Sequence, residues 1–139
     1  MAIQKAVFTR EVVDSLLSYS KMAHPNEGIL LIRGKTRKGV VEVTGVMIPP
    51  GATHAHSFSG FSWFMIPLDS SYLGVAHSHP SGYAVPSHED LLHATGRLMV
   101  IMGYPYNDAS CLGVFTRDGR KIPFEVKEGG PHQPYPDIE

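Results

Sequence analysis

Two short runs of this chain carry side chains that could do chemistry together, His77-Ser78-His79-Pro80 and Ser87-His88-Glu89-Asp90. The apolar stretch Tyr72-Leu73-Gly74-Val75-Ala76 leads into the first histidine and reads as a strand, on which residues i and i+2 project from one face. His77 and His79 can therefore converge on one ion. Pro80 to Pro86 is punctuated by Pro, Gly and Ser and reads as a loop. Ser87 stands where a helix would begin ahead of Leu91-Leu92, which puts Asp90 in the first helical turn. Ligands of type His, His and Asp leave the fourth tetrahedral position of Zn2+ to water, the arrangement of a catalytic rather than a structural site.

Each piece alone has a plainer meaning. Ser-x-x-Asp before an apolar pair is a helix capping box, and His-x-His on a strand is a weak metal signal. The joint pattern His77-x-His79-Pro80 followed by Ser87-x-x-Asp90 is more specific, since this chain's own residue frequencies give it a chance occurrence on the order of one in ten thousand. Such a site also needs a group to accept a proton from water, and a carboxylate outside the motif is the natural candidate. Glu27 is placed for it. It follows the helix end expected at His24-Pro25-Asn26 and precedes the apolar strand Gly28-Ile29-Leu30-Leu31-Ile32. An acid opening a central strand is hard to solvate, so it has a partner or a task. The alternative is an exposed turn residue.

Glu27, His77-Ser78-His79-Pro80, Ser87 and Asp90, in that order, resemble the E…H-[ST]-H-P…S-x-x-D pattern of the JAMM (MPN-plus) metalloprotease family. The similarity runs over about residues 3 to 127 and extends to Met102-Gly103-Tyr104-Pro105-Tyr106 and Phe115-Thr116-Arg117-Asp118-Gly119, as in the small archaeal members. The resemblance implies a zinc-dependent isopeptidase that removes ubiquitin-like modifiers from lysine side chains. It implies that His77, His79 and Asp90 bind zinc, that Glu27 is the general acid and base, and that Ser87 supports the oxyanion. The partner so implied is a small ubiquitin-like modifier with a Gly-Gly tail, together with its lysine-linked conjugates. Two alternatives stay open: release of a peptide or amino acid from a sulfur-carrier protein, and a non-catalytic scaffold of the same fold. Intact Glu27, His77, His79 and Asp90 weigh against the scaffold.

Composition suits one compact domain. At 139 residues the chain can bury a sizeable core, and a net charge of −1 with 18% charged residues argues against a nucleic-acid binder, which would carry a basic stripe. No apolar run approaches the ~20 residues a membrane span needs, and no signal-like segment opens the chain, so the expected location is cytoplasmic. The lone Cys111 sits in an apolar run and reads as a buried strand residue.

The elements that must position the site read as a β-rich α/β fold, a mixed sheet flanked by helices, which the resemblance makes a JAMM/MPN sandwich. Thr9 caps an expected helix with Val12, Val13, Leu16, Leu17 and Ala23 on one face, to pack on the sheet. Gly28 to Arg33 and Val40 to Val46 suggest a hairpin joined by the basic loop Gly34 to Gly39. Trp63 to Pro67 and Tyr72 to His79 would extend the sheet, Leu98 to Met102 reads as a buried strand, and Cys111 to Thr116 and Lys121 to Val126 flank the turn signal Asp118-Gly119. Residues 1–128 are thus the expected domain, and Gly129 to Glu139, rich in Gly and Pro, the expected flexible tail. A second pair, His54 and His56, lies among small polar residues without a carboxylate at useful spacing and reads as loop. His24 and His132 have no distinguishing context. The Gly51 to Ser62 loop is where, by the resemblance, a modifier tail would pass, covered by Phe58, Phe61, Trp63 and Phe64 unless these complete the core.

Overall fold

The computed structural model describes residues 2–49 and 69–128. In chain order these form β1 (Lys5–Thr9), α1 (Arg10–Ala23), β2 (Ile29–Arg37), β3 (Val40–Met47), β4 (Tyr72–His79), α2 (His88–Leu92), β5 (Leu98–Gly103), β6 (Leu112–Thr116) and β7 (Phe124–Lys127). The strands make one seven-stranded mixed sheet in the order β6-β5-β4-β2-β3-β1-β7. The expected α/β class and β-rich mixed sheet are what the molecule adopts.

Thr9 caps α1 as expected, its hydroxyl accepting the Val12 N–H at 3.2 Å. Val12, Val13, Leu16 and Leu17 are buried and pack with Phe8, Leu30, Ile32, Val43, Val100 and Val114 from five strands. Such a shared core requires a curved sheet, and two consecutive residues demonstrate the curvature. The Ile122 N–H donates to Val114 of β6 at 3.0 Å, while the Pro123 carbonyl accepts from Ala6 of β1 at 3.1 Å. At about 4.8 Å per strand a flat sheet would hold these margins far apart. The sheet therefore curls around α1 until its margins nearly meet.

Three sequence expectations need correction. The basic segment Gly34 to Gly39 is mostly strand: β2 runs to Arg37, and only Lys38-Gly39, both at positive φ (50° and 80°), make the turn. Arg33, Lys35 and Arg37 alternate outward, so their charges mark the solvent face of a strand rather than a loop. The second correction concerns the segments flanking Asp118-Gly119, which do not form a regular hairpin. After a single bridge from Phe115 to Lys121 the chain crosses the gap, and β7 pairs in parallel with β1 at the other margin. Pro123 lacks an N–H for a ladder with β6, and its carbonyl is already committed to Ala6. Third, Cys111 ends a short 3-10 turn, Ala109–Cys111, half-buried with its thiol 3.4 Å from the Asn107 side-chain oxygen, and is not a strand residue.

The expected strand at Trp63 to Pro67, His54 and His56, the aromatics of the Gly51 to Ser62 loop and the tail from Gly129 lie outside the described residues. Among the described residues no helix is long and apolar enough to cross a membrane.

Candidate metal centre

The metal-ligand candidates are brought together by β4 and α2. β4 is an interior strand, antiparallel to β2 and parallel to β5, with His77 opposite Ile29 on one side and Ile101 on the other. Its neighbours cover both edges, and alternation sends Ser78 toward the α1 side while His77 and His79 face α2. The loop from Pro80 to Pro86 then crosses the ends of β5 and β6. It can do so because Gly113 has no side chain: a Cβ there would lie 2.2 Å from the Ala84 carbonyl oxygen.

Ser87 ends this loop and caps α2. Its hydroxyl accepts the Asp90 N–H at 3.1 Å, and the Asp90 carboxylate accepts the Ser87 N–H at 2.8 Å. This reciprocal pair points the carboxylate inward, where Asp90 is 4% exposed. One Asp90 oxygen lies 3.5 Å from His77 Nε2 and the other 3.1 Å from His79 Nε2. The far nitrogen of His79, Nδ1, is held at 2.8 Å by the Tyr83 carbonyl, which fixes the ring so that Nε2 faces the carboxylate.

The donor set fits a metal ion. Ligand atoms of His77, His79 and Asp90 all lie within 4.8 Å of one another. Three tetrahedral ligands at zinc distances would stand about 3.4 Å apart, and the separations of 3.5 Å from His77 Nε2 to one Asp90 oxygen and 3.1 Å from His79 Nε2 to the other lie near that spacing. Two imidazoles and one carboxylate are also the borderline N/O chemistry that zinc accepts.

Electrostatics favour the forms a metal requires at His77 and Asp90, and work against the neutral ring at His79. Burial disfavours the cationic ring of His77 and lowers its pKa to about 4, against the opposing pull of Asp90, with the neighbouring His79 adding to the depression. His77 is a neutral imidazole at pH 7. Burial would lower His79 too, but its hydrogen bonds to Asp90 and the Tyr83 carbonyl, with the charges of Asp90 and Glu27, outweigh this and raise its pKa. For Asp90, burial pushes upward and is overcome by the His79 hydrogen bond, the charge of His77 and the Ser87 N–H, so its pKa is lowered. It is a carboxylate.

Glu27 belongs to the same locality. The β2–β4 register continues past Ile29 and His77 through Gly28 and Ser78, where the Ser78 N–H donates to the Gly28 carbonyl at 3.0 Å and the Gly28 N–H to the Ser78 hydroxyl at 2.7 Å. One residue further, Glu27 stands beside His79. Glu27, His79 and Ser87 line one open cleft of about 430 Å³, whose rim carries the exposed Tyr83 and Val85. A carboxylate, a hydroxyl and one edge of the candidate ligand cluster, His79, thus share one solvent-accessible space with an apolar lip, while His77 and Asp90 lie buried behind it.

Sequence reasoning missed four residues in and around the site. Tyr83 acts through its carbonyl, which no side-chain pattern reveals. Ser78 looks like a spacer between two ligands, yet it is fully buried and ties β4 to the residue after Glu27. Tyr106 and His24 bond to each other at 3.2 Å across 82 residues, a pairing without any local signal.

Comparison with known proteins agrees with this geometry. Residues 9–114 match the family described as prokaryotic homologs of the JAB domain, and the chain belongs to that family. It is 36% identical over 104 residues to a probable metalloprotease from Haloferax volcanii, covering 69% of this chain and 64% of that protein's length, so it spans slightly less than two thirds of that relative. Among solved structures it resembles a JAB1/MPN domain protein from Archaeoglobus fulgidus, with TM-score 0.64 and 27% identity over 86% of this chain and 96% of that one. It also resembles a structure described as JAMM, a metalloprotease-like zinc site in the proteasome and signalosome, with TM-score 0.58 and 26% identity over 92% of this chain and all (100%) of that one.

Proposed function

We propose that this protein is a zinc-dependent isopeptidase that releases ubiquitin-like small modifiers from lysine side chains. The observation that carries the reading is the convergence of His77, His79 and Asp90 on one another, with His79 opening into the cleft that Glu27 and Ser87 also line. A zinc ion held by the three ligands would supply Lewis-acid activation of water and polarisation of the scissile carbonyl. Glu27 takes the proton of the attacking water and returns it to the departing lysine amine, whose basicity demands it. The Ser87 oxygen is occupied as an acceptor in the cap, but its O–H remains a donor and can support the tetrahedral oxyanion. The exposed Tyr83 and Val85 offer apolar contact to an extended substrate segment, and a Gly-Gly tail has no side chains to obstruct its approach between them.

The test is cleavage of a lysine-linked conjugate of a ubiquitin-like protein ending in Gly-Gly, followed by mass spectrometry. Zinc-loaded protein should release the intact modifier, and chelated protein should not. Failure of the zinc-loaded protein on lysine-linked conjugates, with release from a linear or sulfur-carrier adduct instead, would replace the isopeptidase reading. Failure on every such bond would remove the hydrolase.

A further inference from the structure

The sheet face that carries His77 and His79 also carries two glycines. Register sets His79 beside Gly103 and His77 beside Ile101, with Ile101 beside Gly113 on the next strand, so all five residues share one face. The loop from Pro80 to Pro86 lies in the space the glycines leave. A Cβ at Gly103 would stand 2.8 Å from the Gly82 carbonyl oxygen, and one at Gly113 would stand 2.2 Å from that of Ala84. Both neighbours are main chain, which cannot rotate away as the tip of a side chain can. Between them is Tyr83, whose carbonyl lies 2.8 Å from His79 Nδ1. Ala84 packs on the small core of Met99, Ile101 and Phe115, and the Gly82 N–H closes a turn on the His79 carbonyl at 3.0 Å. Three consecutive loop residues are thus seated, and the middle one holds a candidate ligand.

We propose that Gly103 and Gly113 are positioning residues for the metal centre, which by seating the backbone of residues 82–84 hold the Tyr83 carbonyl on His79 and so set the affinity for zinc. A carbonyl can only accept, so its bond to the ring requires the proton on Nδ1. A neutral ring held in this way carries its lone pair on Nε2, the atom that faces Asp90. Relieving the overlap at Gly113 needs about 1 Å of movement, which would take a 2.8 Å hydrogen bond beyond bonding range. The ring could then turn, and its proton could sit on either nitrogen. Outer partners of this kind are worth about 10–100-fold in metal affinity. This role rests on His79 being a zinc ligand, and it is read in metal binding rather than turnover because Tyr83 and Val85 also line the cleft.

Chelator competition on Gly113→Ala and Gly103→Ala, each in the full chain, tests it. Zinc affinity should fall by about 10–100-fold in Gly113→Ala and by about tenfold in Gly103→Ala, where the overlap is smaller. In the zinc-loaded parent the His79 Nδ1–H proton should exchange slowly with solvent, and in both variants it should exchange fast. Gly34→Ala is the control for general destabilisation. Its Cβ would meet the Glu42 carbonyl oxygen at 1.8 Å, at the β2 bulge away from the ligands, so it strains main chain without touching the loop. At a temperature where it is folded, its zinc affinity should stay within about threefold of the parent's. Affinity within about threefold of the parent in either loop-seat variant, or an equal loss in Gly34→Ala, overturns the role. Should Gly113→Ala fail to fold, the milder Gly103→Ala decides alone. If the parent binds no zinc, the metal reading has failed separately. The His79 Nδ1–H proton of the zinc-free protein then decides, protection lost in the variants supporting the seat and protection equal to the parent's overturning it.

Discussion

Ser87 and Asp90 hold each other by backbone and side chain at once: each N–H donates to the other's side-chain oxygen, at 2.8 and 3.1 Å. The carboxylate closing the first turn of α2 is therefore the one that faces both histidines. Helix capping and the placement of the Asp90 carboxylate are one device here, so the plain capping reading of Ser-x-x-Asp does not compete with Asp90 standing beside both histidines.

Ser87→Ala separates what the two readings share. Losing the cap acceptor should cost about 0.5–2 kcal/mol, read as a shift in the denaturant midpoint. Loss of an oxyanion donor should lower kcat on a lysine-linked conjugate by on the order of 10²-fold, assayed well below the melting temperature. A rate within about threefold of the parent would leave Ser87 as cap alone.

Glu27→Gln should retain zinc at the parent's stoichiometry and lose about 10²–10⁴-fold in hydrolysis, because the amide keeps the shape and cannot take the proton. Metal analysis and turnover on the same preparation check it. Loss of both together would make Glu27 a ligand.

Zinc affinity should depend on pH through His79 before His77. Metal binding needs neutral imidazole. The His79 pKa is raised, so below it zinc must displace a proton and affinity should fall about tenfold per pH unit. His77, lowered to about 4, is already neutral and adds no slope until that pH is approached, where the dependence should steepen. Competition with a chelator of known affinity between pH 5 and pH 8 measures this, and a slope near two across the whole range would contradict the assignment.

What could be read from the sequence divides along local and non-local lines. Thr9 and α1, the strand before His77 and the cap at Ser87 follow from neighbours within a few residues, where spacing and capping chemistry operate. The fate of β7 was not legible. A turn signal at Asp118-Gly119 is compatible with a hairpin, and only the proximity of the curled sheet's margins makes the crossing to β1 possible. Ser78, Tyr106 and His24 stayed hidden for the same reason, because their hydrogen bonds join three distant segments. In β2, alternating Arg33, Lys35 and Arg37 carried strand periodicity that charge alone disguised as loop.

Gly28 offers a test of how α1 supports the site. A Cβ at this position would lie 2.8 Å from the Tyr19 ring and 3.1 Å from the Ala23 Cβ, so β2 can meet the end of α1 only because the residue after Glu27 has no side chain. Gly28→Ala must push the ring or the strand aside. Overpacking of this kind costs about 1–3 kcal/mol, which the denaturant midpoint should show. The displacement also falls on the donor that binds Ser78, one residue from Glu27. Hydrolysis at a temperature where the variant is fully folded should therefore drop by about tenfold or more, while His77, His79 and Asp90, carried by β4 and α2, keep their zinc. Parent-like turnover in the folded variant would show that Glu27 is held independently of this contact.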